Sequence, residues 1–195
     1  MGCGRLGGFV PRLRESGYEA LGIDPVAPDG DIYRQIEFER SDIPGQLDGV
    51  LACTSLHHVG DPGEVLDKIA STLGPGGLVI VVEWDWEALD GVTARWCFER
   101  LGPPEEGGWL RRRRDEWRAS GQTWEDYLRS WARDEGLHSG QGLVRELDQR
   151  FQRLSCGHGP YLFPDLGETT EAEELDAIRA GRIQATRIDY VGRRG

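Results

Sequence analysis

The sequence predicts an α/β fold, in which helices cover both faces of an open, mostly parallel sheet. Three observations predict it. Short apolar runs alternate with amphipathic stretches over the first half of the chain, and glycine-rich turns separate them. Residues 78–82 are continuously apolar and rich in β-branched side chains, which is typical of a strand covered on both faces.

The early elements are defined by apolar spacing and by the turn residues that end each run. In chain order, the predictions are a helix over residues 6–14 that stops at Gly17, a strand over 20–23 that ends at Asp24, a strand around Ile36 and Phe38, and a strand over 47–53.

The best-marked helix follows these strands. Asp61 can cap it and Pro62 suits its first position, while the residues that follow place apolar side chains on one face. The glycine-rich turn at residues 74–77 stops it, and the strand at residues 78–82 follows directly.

The chain from about residue 102 to 154 is helical in pattern and rich in Trp and Arg. Breaks are predicted at Gly107-Gly108 and Ser120-Gly121, and Thr123 can cap a helix whose apolar stripe contains Trp124 and Trp131. Beyond it, the patterns predict a strand over 161–163, a helix over 171–180 and a final strand over 187–191.

Composition excludes several classes of protein. The 195 residues carry 23 basic and 34 acidic side chains, a net charge of −11, so we predict no nucleic-acid partner. The longest wholly apolar stretch, residues 78–82, is too short to span a bilayer, and the N-terminus lacks the layout of a signal peptide. The four cysteines have no paired spacing, which predicts free thiols, no metal site and a cytoplasmic location.

A glycine motif opens the first helix. Gly2, Gly4 and Gly7 fit the pattern G-x-G-x-x-G, and Asp24 follows Gly4 by twenty residues at a strand end. Such glycines let a cofactor approach the backbone, and the acidic residue accepts hydrogen bonds from ribose hydroxyls. The same residues could instead form only a turn that joins a strand to a helix.

Longer motifs make the pattern more specific. In order and spacing, the chain resembles the class I S-adenosylmethionine-dependent methyltransferases, above all the branch that acts on quinone precursors and natural products. The resemblance covers roughly residues 1–87, implies a Rossmann-like sheet, and rests on Gly2-Cys3-Gly4, Gly22-Ile23-Asp24, Leu47-Asp48-Gly49-Val50, Leu56-His57-His58-Val59-Gly60-Asp61-Pro62 and Leu73-Gly74-Pro75-Gly76-Gly77-Leu78-Val79-Ile80.

This resemblance implies site residues and a cofactor, S-adenosyl-L-methionine. Gly2 and Gly4 would lie against its methionine part, Asp24 would bind the ribose hydroxyls, and Glu39 would lie near the adenine. Glu39 could equally be one more exposed carboxylate of an acidic protein.

His57 and His58 are the candidates for catalysis. They follow a parallel strand at its carboxyl end, where open α/β sheets place their sites, and an imidazole suits a general base. The resemblance implies a base role, because this pair has that role in some similar sugar and natural-product O-methyltransferases, although the pair could also only shape the loop. Glu83 and Asp85 could orient a histidine or accept a proton, but the sequence favours solvated loop carboxylates.

The resemblance also implies a helical insertion after the strand at residues 78–82, an antiparallel terminal strand, a domain organisation and an acceptor. We expect one domain over residues 1–195, with a cofactor-binding core over 1–100, a helical insertion or lid over 101–155 and C-terminal strands and a helix over 156–195. Aromatic side chains between Trp109 and Trp131 would suit a small apolar or aromatic acceptor, unless they only form core.

The family's motif normally follows a hydrophobic strand, whereas Met1 directly precedes Gly2 here. We therefore expect that the chain lacks the first, central strand and that a longer natural product exists. If the short form is instead the true one, we expect it to bind its cofactor poorly. Two alternatives stay open: an NAD(P)-dependent oxidoreductase, which shares the glycine motif, and an inactive methyltransferase-like binding module.

Overall fold

The computed structural model describes residues 1–43, 45–103 and 108–195. It confirms the predicted α/β fold class. The helices and strands of the described residues are, in chain order, α1 (Val10–Glu15), β1 (Gly22–Ile23), β2 (Tyr33–Arg34), β3 (Leu47–Cys53), α2 (Pro62–Thr72), β4 (Leu73–Trp84), α3 (Gly91–Phe98), α4 (Trp109–Ser120), α5 (Trp124–Asp134), α6 (Gly140–Arg150), β5 (Gln152–Gly159), α7 (Glu171–Arg179) and β6 (Arg187–Arg193).

The chain forms two compact units. The first unit contains residues 1–83, 142–156 and 190–195, and the second contains 84–141 and 157–189. Because the chain passes between them several times, the units do not follow the three consecutive parts expected from the sequence. That expected division stays a prediction.

Parallel pairing organises the first unit. β1 pairs with β2 in a two-stranded sheet, and β3 pairs with β4 in a four-stranded sheet of order β3-β4-β6-β5. Val50 and Ala52 of β3 and Val79 and Val81 of β4 are buried on one face of the sheet, whereas Ile80 on the other face is 38% exposed. The expectation that the strand at residues 78–82 is covered on both faces is therefore wrong. The glycine turn lies beside the carboxyl ends of β1 and β3.

The first two residues connect these sheets by hydrogen bonds. The Gly2 amide donates to the Ile23 carbonyl oxygen at 3.1 Å, and the Cys53 amide donates to the Met1 carbonyl oxygen at 3.3 Å. This segment lies where we expected a central strand, and a longer natural product that contains such a strand stays a prediction.

Helix α2 has the predicted cap. Asp61 Oδ1 accepts hydrogen bonds from the amides of Gly63 (2.8 Å) and Glu64 (3.2 Å), and Pro62 takes the first position. Strand β4 begins five residues earlier than predicted, because the glycine-rich turn is absorbed as an irregularity between the pairs Leu47↔Leu73 and Gly49↔Leu78.

Two predictions near the glycine turn are wrong. The first helix begins at Val10 instead of residue 6, because Gly7 and Gly8 have positive φ angles of 81° and 50° that a right-handed helix does not allow. Leu6 is left 93% exposed. The second strand is Tyr33–Arg34 instead of the segment around Phe38.

Phe38 instead begins a short 3₁₀ helix, Phe38–Arg40. The Phe38 carbonyl oxygen accepts hydrogen bonds from the Ser41 amide (3.1 Å) and from Ser41 Oγ (2.6 Å), which closes the turn. Apolar and charged residues alternate here as in a strand, but these local bonds to the backbone decide the conformation. Glu39 therefore lies in a 3₁₀ helix.

An aromatic core fills the second unit. Trp124, Tyr127 and Leu128 of α5 are buried, and Thr123 caps the helix by accepting a hydrogen bond from the Asp126 amide at 3.2 Å. The predicted stripe is therefore core, one of the two interpretations the sequence allowed. Gly121 ends α4 with φ +70°, whereas the predicted break at Gly107 lies outside the described residues.

The strand predicted at residues 161–163 is wrong. Its amides donate to the buried carboxylate of Glu174, and the strand of this region, β5, lies at Gln152–Gly159. The predicted final helix and strand are confirmed as α7 and β6.

Candidate active site

The first unit contains a cavity of about 320 Å³ at the carboxyl ends of β1 and β3. Its walls are the glycine turn, the loop after β1, the 3₁₀ helix at Phe38–Arg40 and the loop after β3. Four of the six predicted site residues line it: Gly2, Asp24, Glu39 and His58. Gly4 and His57 are not among the lining residues. The cavity lies where open α/β sheets place their ligands.

The glycine turn has a backbone conformation that favours residues without a side chain. Gly2 has φ +73°, and a Cβ there would meet the Cys53 carbonyl oxygen and lie 2.8 Å from Ser55 Cβ. Gly4 has φ +57° with open space around its missing Cβ. Both positions favour glycine by conformation, and Gly2 also requires it by contact.

Asp24 joins β1 to this turn. Its Oδ2 accepts a hydrogen bond from the Gly4 amide at 3.0 Å, and its Oδ1 accepts one from the Val26 amide at 2.9 Å. A carboxylate has about four lone-pair positions, so each oxygen keeps an acceptor site beyond these bonds. Asp24 can therefore accept two hydroxyls of a ligand without giving up its structural bonds.

Glu83, near the end of β4, is only 1% exposed. It packs against the loop that follows β3. Its Oε1 accepts hydrogen bonds from the amides of Ser55 and Leu56, each at 2.6 Å, and its Oε2 lies 2.5 Å from His57 Nδ1. The expectation of a solvated loop carboxylate is therefore wrong. Glu83 orients a histidine, which the sequence had named as the alternative.

The two histidines differ in exposure. His57 is 4% exposed, whereas His58 is exposed and lines the cavity. Their ring centroids are 4.1 Å apart with an interplanar angle of 42°. His57 is thus held by Glu83 and lies against the ring of His58, and only His58 is placed to meet a ligand of the cavity.

Sequence reasoning missed Ser55. Its Oγ is buried, lies at the cavity wall and has no hydrogen-bond partner. A buried hydroxyl without a partner is costly, so a ligand that hydrogen-bonds to it would be favoured. Its signal in the sequence is its position two residues after the end of β3.

Two further polar side chains, Cys53 and Asp85, differ from these residues in their environment. Burial raises the pKa of the Cys53 thiol, which disfavours the thiolate and argues against a nucleophilic role. Asp85 is 8% exposed and belongs to the second unit, and its own burial raises the pKa of its carboxyl. Among the described residues, no cluster of His, Cys, Asp or Glu could hold a metal ion.

Solved structures with the same fold are methyltransferases. The S-adenosylmethionine-dependent methyltransferase from Mesorhizobium loti superimposes with a TM-score of 0.56 at 17% identity, over 99% of this chain and 88% of that one. Geranyl diphosphate C-methyltransferase from Streptomyces coelicolor gives 0.53 at 15% identity, over 100% and 70%. At these identities the likeness shows the fold.

A third structure, the N-methyltransferase NodS from Bradyrhizobium japonicum, matches with a TM-score of 0.43 at 10% identity, over 97% of this chain. The chain spans 61% of that protein's length, less than two thirds. A comparison with curated proteins gives no match.

The sheet order, the cavity and the glycine turn therefore define an α/β protein with the methyltransferase fold. A family model described as a methyltransferase domain matches residues 1–133, more than half of the chain. The chain belongs to this family of methyltransferase domains. The predicted family is confirmed, and it is not that of the nicotinamide-dependent oxidoreductases.

Proposed function

We propose that this chain transfers a methyl group from S-adenosyl-L-methionine to a small-molecule acceptor, and that the cavity of the first unit holds the cofactor. One observation carries the proposal: Gly2, Asp24, Glu39 and His58, which are far apart in sequence, line the same cavity. The resemblance assigned each of them a role at one cofactor or at the reaction beside it.

The residues of the cavity fit this cofactor. Gly2 places bare backbone at the cavity wall, where a cofactor can approach it closely, and Asp24 keeps acceptor positions for ribose hydroxyls. The Ser55 hydroxyl offers an unused hydrogen bond at the wall. Glu39 and Phe38 provide a carboxylate and an apolar ring on the side assigned to the adenine.

The bound cofactor supplies an electrophilic methyl group, and the chain supplies alignment and a base. We assign the base role to His58, because it is the exposed histidine of the pair and lines the cavity. His57 is then a positioning residue. Its ring lies against the ring of His58, and its Nδ1 is hydrogen-bonded to Glu83.

The acceptor we propose is a small molecule of apolar or aromatic character. The net charge of −11 disfavours phosphate backbones, which argues against nucleic-acid substrates. The Streptomyces relative methylates geranyl diphosphate, which has an apolar chain. No helix of the described residues is long and apolar enough to cross a membrane. We also propose a cytoplasmic location, since the four cysteines are free thiols.

Calorimetric titration with S-adenosylhomocysteine tests the cofactor assignment. We expect binding to the wild type, loss of at least about tenfold in affinity in Asp24→Ala, and wild-type affinity in the control Asp42→Ala, because Asp42 is exposed and does not line the cavity. NADH should give no heat.

A second assay follows the tritiated methyl group of the cofactor into small phenols and geranyl diphosphate. Transfer to any of them supports the proposal. A folded protein that binds neither S-adenosylhomocysteine nor NADH would instead be the inactive binding module, and the proposal would be overturned.

A further inference from the structure

Lys68, the only lysine of the sequence, contacts residues 38–41. Phe38 and Glu39 of this segment line the cavity, whereas Lys68 itself does not. Lys68 lies on α2, and its Nζ donates hydrogen bonds to the carbonyl oxygens of Glu39 (2.8 Å) and Ser41 (2.5 Å). The same Nζ lies 5.5 Å from the centroid of the Phe38 ring. One ammonium group therefore contacts three of the four residues from 38 to 41.

Two hydrogen bonds and one ring contact hold the ammonium group. An ammonium group has three donors and no acceptor, and it is attracted to the face of an aromatic ring. Two of the donors reach the carbonyl oxygens, and the charge faces the Phe38 ring. A lysine is strongly hydrated, so it adopts such a position only when the new partners compensate for the lost water.

The segment that Lys68 holds is a part of the cavity that no strand supports. β2 ends at Arg34, and the 3₁₀ helix Phe38–Arg40 lies outside both sheets. Phe38 and Glu39 nevertheless line the cavity. Their position therefore depends on the turn closed by Ser41 and on the contacts with Lys68.

We propose that Lys68 is a positioning residue that sets the affinity for the adenosine part of the cofactor. This inference rests on the proposed function. Lys68 attaches Phe38 and Glu39 to α2, so that the ring and the carboxylate are in place before the ligand arrives. Without it, binding must also order this segment, and the entropic cost of that ordering weakens binding.

Three variants test the proposal by calorimetry with two ligands, S-adenosylhomocysteine and 5′-methylthioadenosine. Lys68→Met removes the donors and the charge, and we expect about tenfold weaker binding of both ligands, because both contain the adenosine part. Lys68→Arg keeps the charge and several donors and should restore binding to within about threefold. Asp67→Asn is the matched control on α2, since Asp67 pairs with Arg150.

Kinetics separate positioning from a general structural role. With an acceptor that the tritium assay identifies, Lys68→Met should raise KM for S-adenosylmethionine about tenfold and leave kcat at saturating cofactor close to that of the wild type. A lower kcat at unchanged KM would contradict the proposal.

Chemical modification gives a test that does not depend on folding of a variant. Reductive methylation of the folded wild type converts Lys68 to the dimethyl form, which keeps its charge but retains one N–H, too few for two carbonyl oxygens. The affinity for 5′-methylthioadenosine should fall. Lys68→Arg treated in the same way is the control, because only its terminal amine can be methylated.

The outcomes separate this inference from the proposed function. If the wild type does not bind S-adenosylhomocysteine, the proposed function fails. If the wild type binds and Lys68→Met and the methylated protein bind equally well, the cofactor assignment stands and the role of Lys68 is overturned.

Discussion

Glu83 holds His57 with one carboxylate oxygen and the loop before His57 with the other. Oε2 lies 2.5 Å from His57 Nδ1, and Oε1 accepts hydrogen bonds from the amides of Ser55 and Leu56. A single buried side chain at the end of β4 thus fixes both the backbone after β3 and the orientation of the histidine ring. Removing the carboxylate should therefore affect catalysis and the loop, and the two effects can be separated.

Glu83→Gln tests the orientation of His57. The amide oxygen can keep the two backbone hydrogen bonds, but the NH₂ group then faces Nδ1, which must become an acceptor. The proton then moves to Nε2 of His57. We expect the rate of methyl transfer to fall by about tenfold to a hundredfold, with binding of S-adenosylhomocysteine near that of the wild type.

The tautomer of His57 is visible in ¹⁵N–¹H correlation spectra of the imidazole rings. A variant with a changed tautomer and an unchanged methyl-transfer rate would contradict the role of His57 as a positioning residue. Glu87→Gln, at a carboxylate of the second unit, serves as a control for the charge change.

His58→Ala tests the base itself. If His58 accepts a proton from the acceptor, kcat should fall by about 10²- to 10⁴-fold, whereas a variant that only loses a cavity contact would show a weaker affinity and a normal kcat. His158→Ala is the matched control, since this histidine belongs to the second unit. Full activity of His58→Ala would remove the base assignment.

Gly2→Ala and Gly4→Ala form a matched pair in the glycine turn. Both glycines have positive φ, so either alanine costs roughly 1–2 kcal/mol of conformational strain. Only at Gly2 does the new methyl group meet the Cys53 carbonyl oxygen and Ser55. We expect Gly2→Ala to lower the unfolding free energy in urea by clearly more than Gly4→Ala does. Equal losses would contradict the contact at Gly2.

The sequence allowed the cavity to be predicted better than the histidine pair. Gly2, Asp24 and His58 follow from spacing, because a glycine turn, a strand end and a loop after the next strand converge wherever parallel strands end together. Glu39 also lines the cavity, but the sequence placed it just after a strand that does not form. The alternation of Ile36 and Phe38 did not reveal the bonds of Ser41, which are local and favour a turn.

The partners of buried polar groups could not be predicted. Glu83 lies 26 residues from His57 and 28 from Ser55, so its role depends on the register of β4 beside β3. Glu174 and the amides of residues 161–163 show the same limitation, since a run of apolar residues that looks like a strand is instead held by one distant carboxylate. Long-range contacts of this kind leave no periodic signal.

Asp85→Asn tests a pH effect in the second unit. Burial raises the pKa of the Asp85 carboxyl above its ordinary 3.8, while the amides of Glu87 and Gly140 and the charge of His158 oppose this. The folded protein then binds the proton more tightly than the unfolded chain, so this group's contribution to the unfolding free energy falls as pH rises from 3.8 through the raised value.

The asparagine variant lacks this contribution. Urea unfolding of both proteins at pH 4 and pH 7 should therefore show that the stability of the wild type relative to Asp85→Asn is greater at pH 4. A relative stability that increases toward pH 7 would mean that the hydrogen bonds to the charged form outweigh burial.

Glu174→Gln tests the carboxylate that replaces a strand. Glu174 is fully buried, and its oxygens accept the amides of Tyr161 (2.9 Å), Leu162 (3.0 Å) and Phe163 (2.6 Å). Glutamine offers one acceptor oxygen and turns an NH₂ group toward amides that are themselves donors, so at least one buried amide loses its partner. We expect the unfolding free energy in urea to fall by about 2 kcal/mol or more. Glu171→Gln, at the exposed start of the same helix, should change it by less than about 0.5 kcal/mol. Equal and small effects would mean that water replaces the carboxylate at these amides.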